Sequence, residues 1–237
     1  MPAARPRVVV ITGGSRGIGL ATAKVFAAQG DQVIISGRDA GRLKSAAKQI
    51  RSEYRVDTLV CDVRETASVE HALQRISSRY EKIDVLFNNA GVAHALSPVE
   101  KLSVETWREV IETNLTGTYL VTRAALPLMS TGSSIVNNLS IAAVQPFSGM
   151  SAYNAAKFGA LGFTKALREE LREKGIRVIA LLPGATNTEI WQQFWPEAPR
   201  EKMMKAETVA EAILHAVSAP PEASVEELMI GPTAGVL

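Results

Sequence analysis

Short runs of β-branched and apolar residues recur at 7–12, 32–36, 58–62, 83–88, 134–140 and 176–183. Each run is too short for a buried helix and ends in polar or glycine-bearing sequence, so each predicts a buried strand. Between them, segments 20–29, 40–51, 68–80, 105–129 and 151–171 repeat their apolar positions every three or four residues, as one face of a helix does. Strands alternating with helices predict an α/β fold, a Rossmann-type doubly wound, mostly parallel sheet with helices on both faces. A chain of 237 residues has room for one such domain, with a sizeable core, and not for a separate substrate domain. Residues 1–237 are therefore read as a single domain.

The residues at which the apolar runs stop are Thr12 with its glycines, Gly37 and Arg38, Asp62, Asn88 and Asn89, Ser140, and Pro183 with Gly184. In an open parallel sheet, ligands sit outside the carboxyl ends of the strands, so these distant positions are expected to converge on one crevice. The segment TGGSRGIG, 12–19, directly follows the first predicted strand and opens a helix. Glycines there permit a tight turn and close approach of a pyrophosphate to the helix N-terminus, with Gly13, Ser15, Arg16, Gly17, Ile18 and Gly19 forming the cradle. The alternative is a turn that serves only strand-to-helix packing.

Tyr153 and Lys157 stand four apart in the Ala- and Leu-rich segment 151–171, so both project from one helix face. A free phenol has a pKa of about 10, and a neighbouring ammonium is expected to favour its ionised form. Asn114 and Gly117 are weak choices for a helix interior, which predicts an irregularity within 105–129 or a simple polar contact.

These residues together resemble the short-chain dehydrogenase/reductase family, including 3-oxoacyl-carrier-protein reductases and 3-hydroxy acid dehydrogenases. The family carries TGxxxGxG, then NNAG, then a serine and Tyr-x-x-x-Lys, and here these are 12–19, 88–91, Ser140, Tyr153 and Lys157. The resemblance runs from about Arg7 through Gly184. It implies hydride transfer between a nicotinamide and a carbonyl or secondary alcohol, with Tyr153 moving the proton, Ser140 polarising the oxygen and Lys157 tuning Tyr153 and holding ribose. By the same resemblance, Asn114 retains a water that links Lys157 to solvent. Asp62 and Val63 border adenine, Asn89, Ala90 and Gly91 lie along the adenosine ribose, and Pro183, Gly184, Thr186 and Thr188 orient the carboxamide. Asn88 either joins that contact or secures the sheet.

About 20 residues beyond the glycines, where an NAD enzyme places a carboxylate, this chain has Gly37 and Arg38. A guanidinium there suits the 2′-phosphate of NADP, with Arg16 as a second basic contact, so NADP(H) is expected over NAD(H). Asp39 would oppose that assignment unless it caps the following helix.

Beyond Gly184 the chain becomes individual. Segment 185–205 carries Trp191, Phe194, Trp195, Pro196, Met203 and Met204, too apolar for a surface excursion, and is read as a substrate loop or as packing. His94, Phe147, Met150, Trp191 and Trp195 are its candidate pocket residues, for an apolar or bulky carbonyl or alcohol. Phe158, Leu161, Phe163 and Leu167 spread apolar surface around segment 151–171, with Gly159 and Gly162 permitting close approach. That pattern predicts a partner helix from a second copy, in a homodimer or homotetramer.

A formal net charge of +2, with basic and acidic residues interspersed, argues against a nucleic-acid footprint. One cysteine and three scattered histidines provide neither an internal disulfide nor a zinc spacing, so no metal is expected. The opening apolar run of four or five residues is shorter than a signal core or a membrane span, and the expected compartment is the cytoplasm. A catalytically silent dinucleotide-binding sensor or scaffold is the alternative reading.

Overall fold

The computed structural model describes residues 5–235. Strands β1 (Val8–Thr12), β2 (Gln32–Gly37), β3 (Asp57–Val60), β4 (Val85–Asn88), β5 (Ser134–Asn138), β6 (Arg177–Pro183) and β7 (Glu227–Ile230) form one sheet. Its order is β3-β2-β1-β4-β5-β6-β7, and every pairing is parallel. The chain builds outward from β1 to β3, then crosses back to place β4 on the other side of β1, so strand order reverses between β1 and β4. A crevice opens at such a switch point.

Alternation along β1 decides the layers. Val8 and Val10 pack into one core with Leu86, Val121, Ile135 and Leu167, while Val9 and Ile11 pack into the other with Phe26, Phe87, Ile179 and Ile213. A strand covered on both faces can be apolar throughout, which is why β1 reads as an unbroken hydrophobic run. Helices α1 (Gly17–Ala28), α2 (Ala40–Gln49) and α3 (Thr66–Ser77) follow the first three strands. Helices α4 (Val104–Ile111) and α5 (Gly117–Ala125) lie between β4 and β5. Helix α6 (Ser151–Leu171) then leads into β6, and α7 (Trp191–Phe194) and α8 (Ala206–Val217) lead into β7.

Three expectations change. Strand β7 has no counterpart among the six predicted runs, because ELMI alternates exposed and half-buried positions at the sheet edge. Segment 105–129 is not one helix: a π turn over Glu112–Thr116 separates α4 from α5, at the irregularity predicted near Asn114, and a 3-10 turn at Leu126–Leu128 follows. On α6, Leu161 and Leu167 are buried within the chain's own core, and Gly159 packs against Leu115. Phe158 is exposed, as are Trp107 on α4 and Tyr119 on α5. Among the described residues no helix is long and apolar enough to cross a membrane.

Candidate active site

The carboxyl ends of β1, β2, β4, β5 and β6 border one crevice of about 870 Å³. At β1 the turn is built for close approach. Gly13 and Gly17 have φ of 62° and 54°, the left-handed region that favours glycine. A Cβ on Gly14 would lie 2.7 Å from Ile35 Cγ2, so the turn rests directly on β2. No side chain caps α1, which leaves its first N–H groups open to an anion. The Thr12 hydroxyl accepts from the N–H groups of Asn89 (2.9 Å) and Ala90 (3.0 Å), pinning the NNAG segment onto the same turn.

At the β2 end, three of the four guanidiniums near the crevice are engaged. Arg16 Nη1 lies 2.9 Å from Glu189 Oε2, Arg42 Nε 3.6 Å from Asp39 Oδ2, and Arg64 Nη2 2.6 Å from Asp62 Oδ2. Hydrogen bonding from Arg64 holds the Asp62 carboxyl below its ordinary value, with Arg38 adding to the effect through its charge. Arg38 itself lines the crevice and has no carboxylate in ion-pair reach among the described residues. Asp39 Oδ1 accepts from Arg42 N at 2.9 Å and so caps α2. A glycine turn without room for Cβ atoms and an uncapped helix start together fit a dinucleotide.

The other end of the crevice holds the proton-moving groups. Ser140 stands two residues beyond β5, and its Oγ accepts from Ala142 N at 3.1 Å. Tyr153 and Lys157 come from the first turns of α6 and face the same space. Lys157 Nζ lies 5.5 Å from the Tyr153 ring centroid and donates to the Asn138 carbonyl at 2.8 Å. Burial pushes the Tyr153 phenol up to about 12, the Ser140 hydroxyl pulling it the other way as a hydrogen-bond partner. Burial also pushes Lys157 down to about 7. The ammonium expected to favour the ionised phenol is thus itself disfavoured by desolvation.

The Lys157 shift has a thermodynamic consequence. Unfolded, the lysine has its ordinary value of 10.5, so between about 7 and 10.5 the unfolded chain binds the extra proton. Folding stability without dinucleotide is therefore expected to rise with pH across that window. Below pH 7 both states are protonated and the contribution is constant. Lys157→Met should flatten the rise; urea midpoints at pH 7 and 9.5 check this, and equal slopes in both proteins would contradict it.

Two side-chain amides connect the glycine turn to this lysine. Asn89 Nδ2 donates to the carbonyls of Thr12 (2.9 Å) and Gly13 (3.1 Å), and Asn89 Oδ1 accepts from Asn138 Nδ2 at 2.9 Å. Two carbonyl acceptors force the nitrogen of Asn89 toward the turn, which in turn forces the nitrogen of Asn138 toward Asn89. Asn138 Oδ1 is thereby left as a buried acceptor without a partner, on a residue that lines the crevice. Asn88 instead secures the sheet, donating to Thr122 Oγ1 (2.8 Å) and Asn137 Oδ1 (2.9 Å).

Of the residues given a catalytic, cofactor-binding or pocket role by the sequence, with Asn88 placed in the sheet, most line the crevice, including Ile18, Val63, Gly91, Pro183, Gly184, Thr186, Thr188, Phe147, Met150, Trp191 and Trp195. Three do not. Gly19 is buried in the turn, where a Cβ would come within 2.6 Å of the Gly13 carbonyl. Asn114 lies behind the wall: its side chain accepts from Val92 N and donates to Val92 O, both at 2.8 Å, and its carbonyl accepts from Thr118 Oγ1. His94, expected in the pocket, is buried with Nδ1 against the Ala95 carbonyl at 2.8 Å; Val92 and Leu96 face the crevice in its place.

Arg42, Asn138 and Gln193 were not anticipated. Gln193 on α7 accepts from Ala93 N at 3.0 Å and ties the 185–205 segment to the loop after β4. Trp191 Nε1 donates to the Thr186 carbonyl at 2.8 Å, and its ring lies 4.7 Å from that of Phe194.

A dinucleotide-type crevice that ends in Ser140, Tyr153 and Lys157 defines a hydride-transferring oxidoreductase of the short-chain type. The short chain dehydrogenase family profile matches residues 7–199, and the chain belongs to that family. It is 33% identical over 237 residues to sulfoacetaldehyde reductase 2 of Chromohalobacter salexigens, covering 95% of this chain and 94% of that one. It also superposes on an alcohol dehydrogenase of the archaeon Thermococcus sibiricus complexed with 5-hydroxy-NADP, with TM-score 0.90, 30% identity and 98% of each chain covered. A 3-ketoacyl-(acyl-carrier-protein) reductase of Brucella melitensis complexed with NADH matches with TM-score 0.87 and 30% identity, over 95% of this chain and 96% of that one. The chain is therefore an oxidoreductase acting on C=O or CH–OH groups.

Proposed function

We propose that this chain is an NADP(H)-dependent carbonyl reductase or alcohol dehydrogenase. The observation that carries the reading is one crevice with a phenol, a hydroxyl and a buried lysine at one end and, at the other, the Arg38 guanidinium, without an ion-pair partner among the described residues. When bound, the nicotinamide supplies or accepts the hydride.

The residues supply the rest. Tyr153, protonated at neutral pH, gives its proton to the carbonyl oxygen as negative charge develops there. Ser140 donates a hydrogen bond to the same oxygen and fixes its position. Lys157, held by the Asn138 carbonyl, would bond a ribose hydroxyl and, as an ammonium, would return a proton toward the phenolate left on Tyr153. Asn114 holds Val92 and the π turn in shape, and we assign its carbonyl the retention of a water on the path from Lys157. Arg38, with Arg16 and Arg42 beside it, receives the 2′-phosphate. Asp62 and Val63 would hold the adenine, NNAG its ribose, and Gly184 to Thr188 the carboxamide. The segment 185–205 acts as the lid.

The exposed Trp107, Tyr119 and Phe158 support assembly as a homodimer or homotetramer. A single buried free thiol, Cys61, suits the cytoplasm. The test is NADPH absorbance across a panel of ketones, aldehydes and 3-oxo esters. Consumption with at least one carbonyl is expected, with NADPH used more efficiently than NADH; dinucleotide binding without turnover of any member would support a silent sensor instead.

A further inference from the structure

Resting on that carbonyl reading, we propose that the site selects uncharged, apolar carbonyl substrates and rejects those carrying a carboxylate or sulfonate near the reacting carbon. The charges that line the crevice are Arg16, Arg38, Asp39, Arg42, Asp62, Lys157 and Glu189. Arg38, Asp39, Arg42 and Asp62 belong to the β2 and β3 ends, the far side of the crevice from Tyr153. Lys157 donates to the Asn138 carbonyl beside the Tyr153 ring and is the group assigned to the ribose. Among the described residues that line the crevice, no cation near Tyr153 is left to pair with an anionic substrate.

What surrounds the reacting position is apolar: Ile141, Phe147 and Met150 from the segment joining Ser140 to Tyr153, and Trp191, Phe194 and Trp195 from the lid. Two of the lid's polar side chains are held elsewhere, and Thr188, which lines the crevice, is neutral. Gln193 accepts from Ala93 N, and Trp191 donates to the Thr186 carbonyl. The one charge the lid presents to the crevice is negative, Glu189, and it is balanced by Arg16. Arg16 is also a candidate phosphate ligand, so any turn toward a phosphate leaves the Glu189 carboxylate to repel a second anion. A carboxylate desolvated here without a partner is strongly disfavoured, whereas an alkyl or aryl group gains from the same burial.

Ethyl 3-oxobutanoate and 3-oxobutanoate carry the same ketone and differ in charge, and 4-phenylbutan-2-one adds an apolar ring. With NADPH and the intact protein, kcat/KM for the ester is expected to exceed that for the acid by about 100-fold or more, the scale of an unpaired buried charge. The phenyl ketone should match or surpass the ester. Equal efficiency for acid and ester, or preference for the acid, overturns the proposal while leaving hydride transfer intact. Failure to turn over any of the three, with NADPH bound, would remove the carbonyl reading and this proposal with it. Phe194→Arg separates charge from shape. It should narrow the ester-to-acid ratio by about tenfold, whereas a ratio that stays fixed as both rates fall would contradict exclusion by this lining.

Discussion

Tyr153→Phe is expected to lower kcat for carbonyl reduction by about 10³-fold, within the range attributed to a positioned general acid. The substitution keeps the ring that packs beside Lys157 and removes only the hydroxyl that bonds toward Ser140. Binding of NADPH, followed by its fluorescence, should therefore change by less than about threefold, because no contact in the glycine turn is altered. The direction of the phenol's shift adds a pH signature. A phenol held near 12 is protonated throughout the neutral range, so reduction should persist at neutral pH, while alcohol oxidation should gain as pH rises toward that value. A variant that reduces ketones at the parent rate would remove Tyr153 from the chemistry.

The second large effect concerns the cofactor. Arg38→Ala should raise the KM for NADPH by about 30-fold, since a charge-assisted hydrogen bond to phosphate contributes roughly 1.5–3 kcal/mol. The KM for NADH should stay within about twofold, because no phosphate faces position 38 in that nucleotide. Arg38 carries this weight because its neighbours are occupied: Arg42 by Asp39, Arg64 by Asp62 and Arg16 by Glu189. Asp39 does not substitute for an NAD-reading carboxylate while it caps α2. Equal loss with both nucleotides would point to a damaged fold rather than a lost phosphate contact.

The fold was legible where burial on both faces made strands continuous in sequence, as in VVVIT at β1 and RVIALLP at β6. Strand β7 escaped because an edge strand needs no such run, and four residues with two exposed leave little pattern. The break between α4 and α5 was visible in Asn114 and Gly117, which a regular helix disfavours, although its π geometry was not. In the site, the gathering of Ser140, Tyr153 and Lys157 in one crevice was legible from strand order, helix spacing and the family resemblance. Their ionisation was not, because it depends on desolvation, which the packed fold sets and no residue letter reveals. The same limit applies to Asn138 and Gln193, whose partners are set by strand order and lid path. His94 was misplaced for the converse reason: a polar letter after NNAG looked available, yet its ring is satisfied on one side by its neighbour's carbonyl and buried.

The central claim is direct hydride transfer within the crevice that joins the glycine turn to Tyr153. Reduction of 4-phenylbutan-2-one with NADPH deuterated at both C4 positions tests it most directly, by mass spectrometry of the alcohol product. One deuterium on the carbinol carbon is the predicted result. An unlabelled alcohol, or no alcohol from a protein that binds the nucleotide, would contradict it.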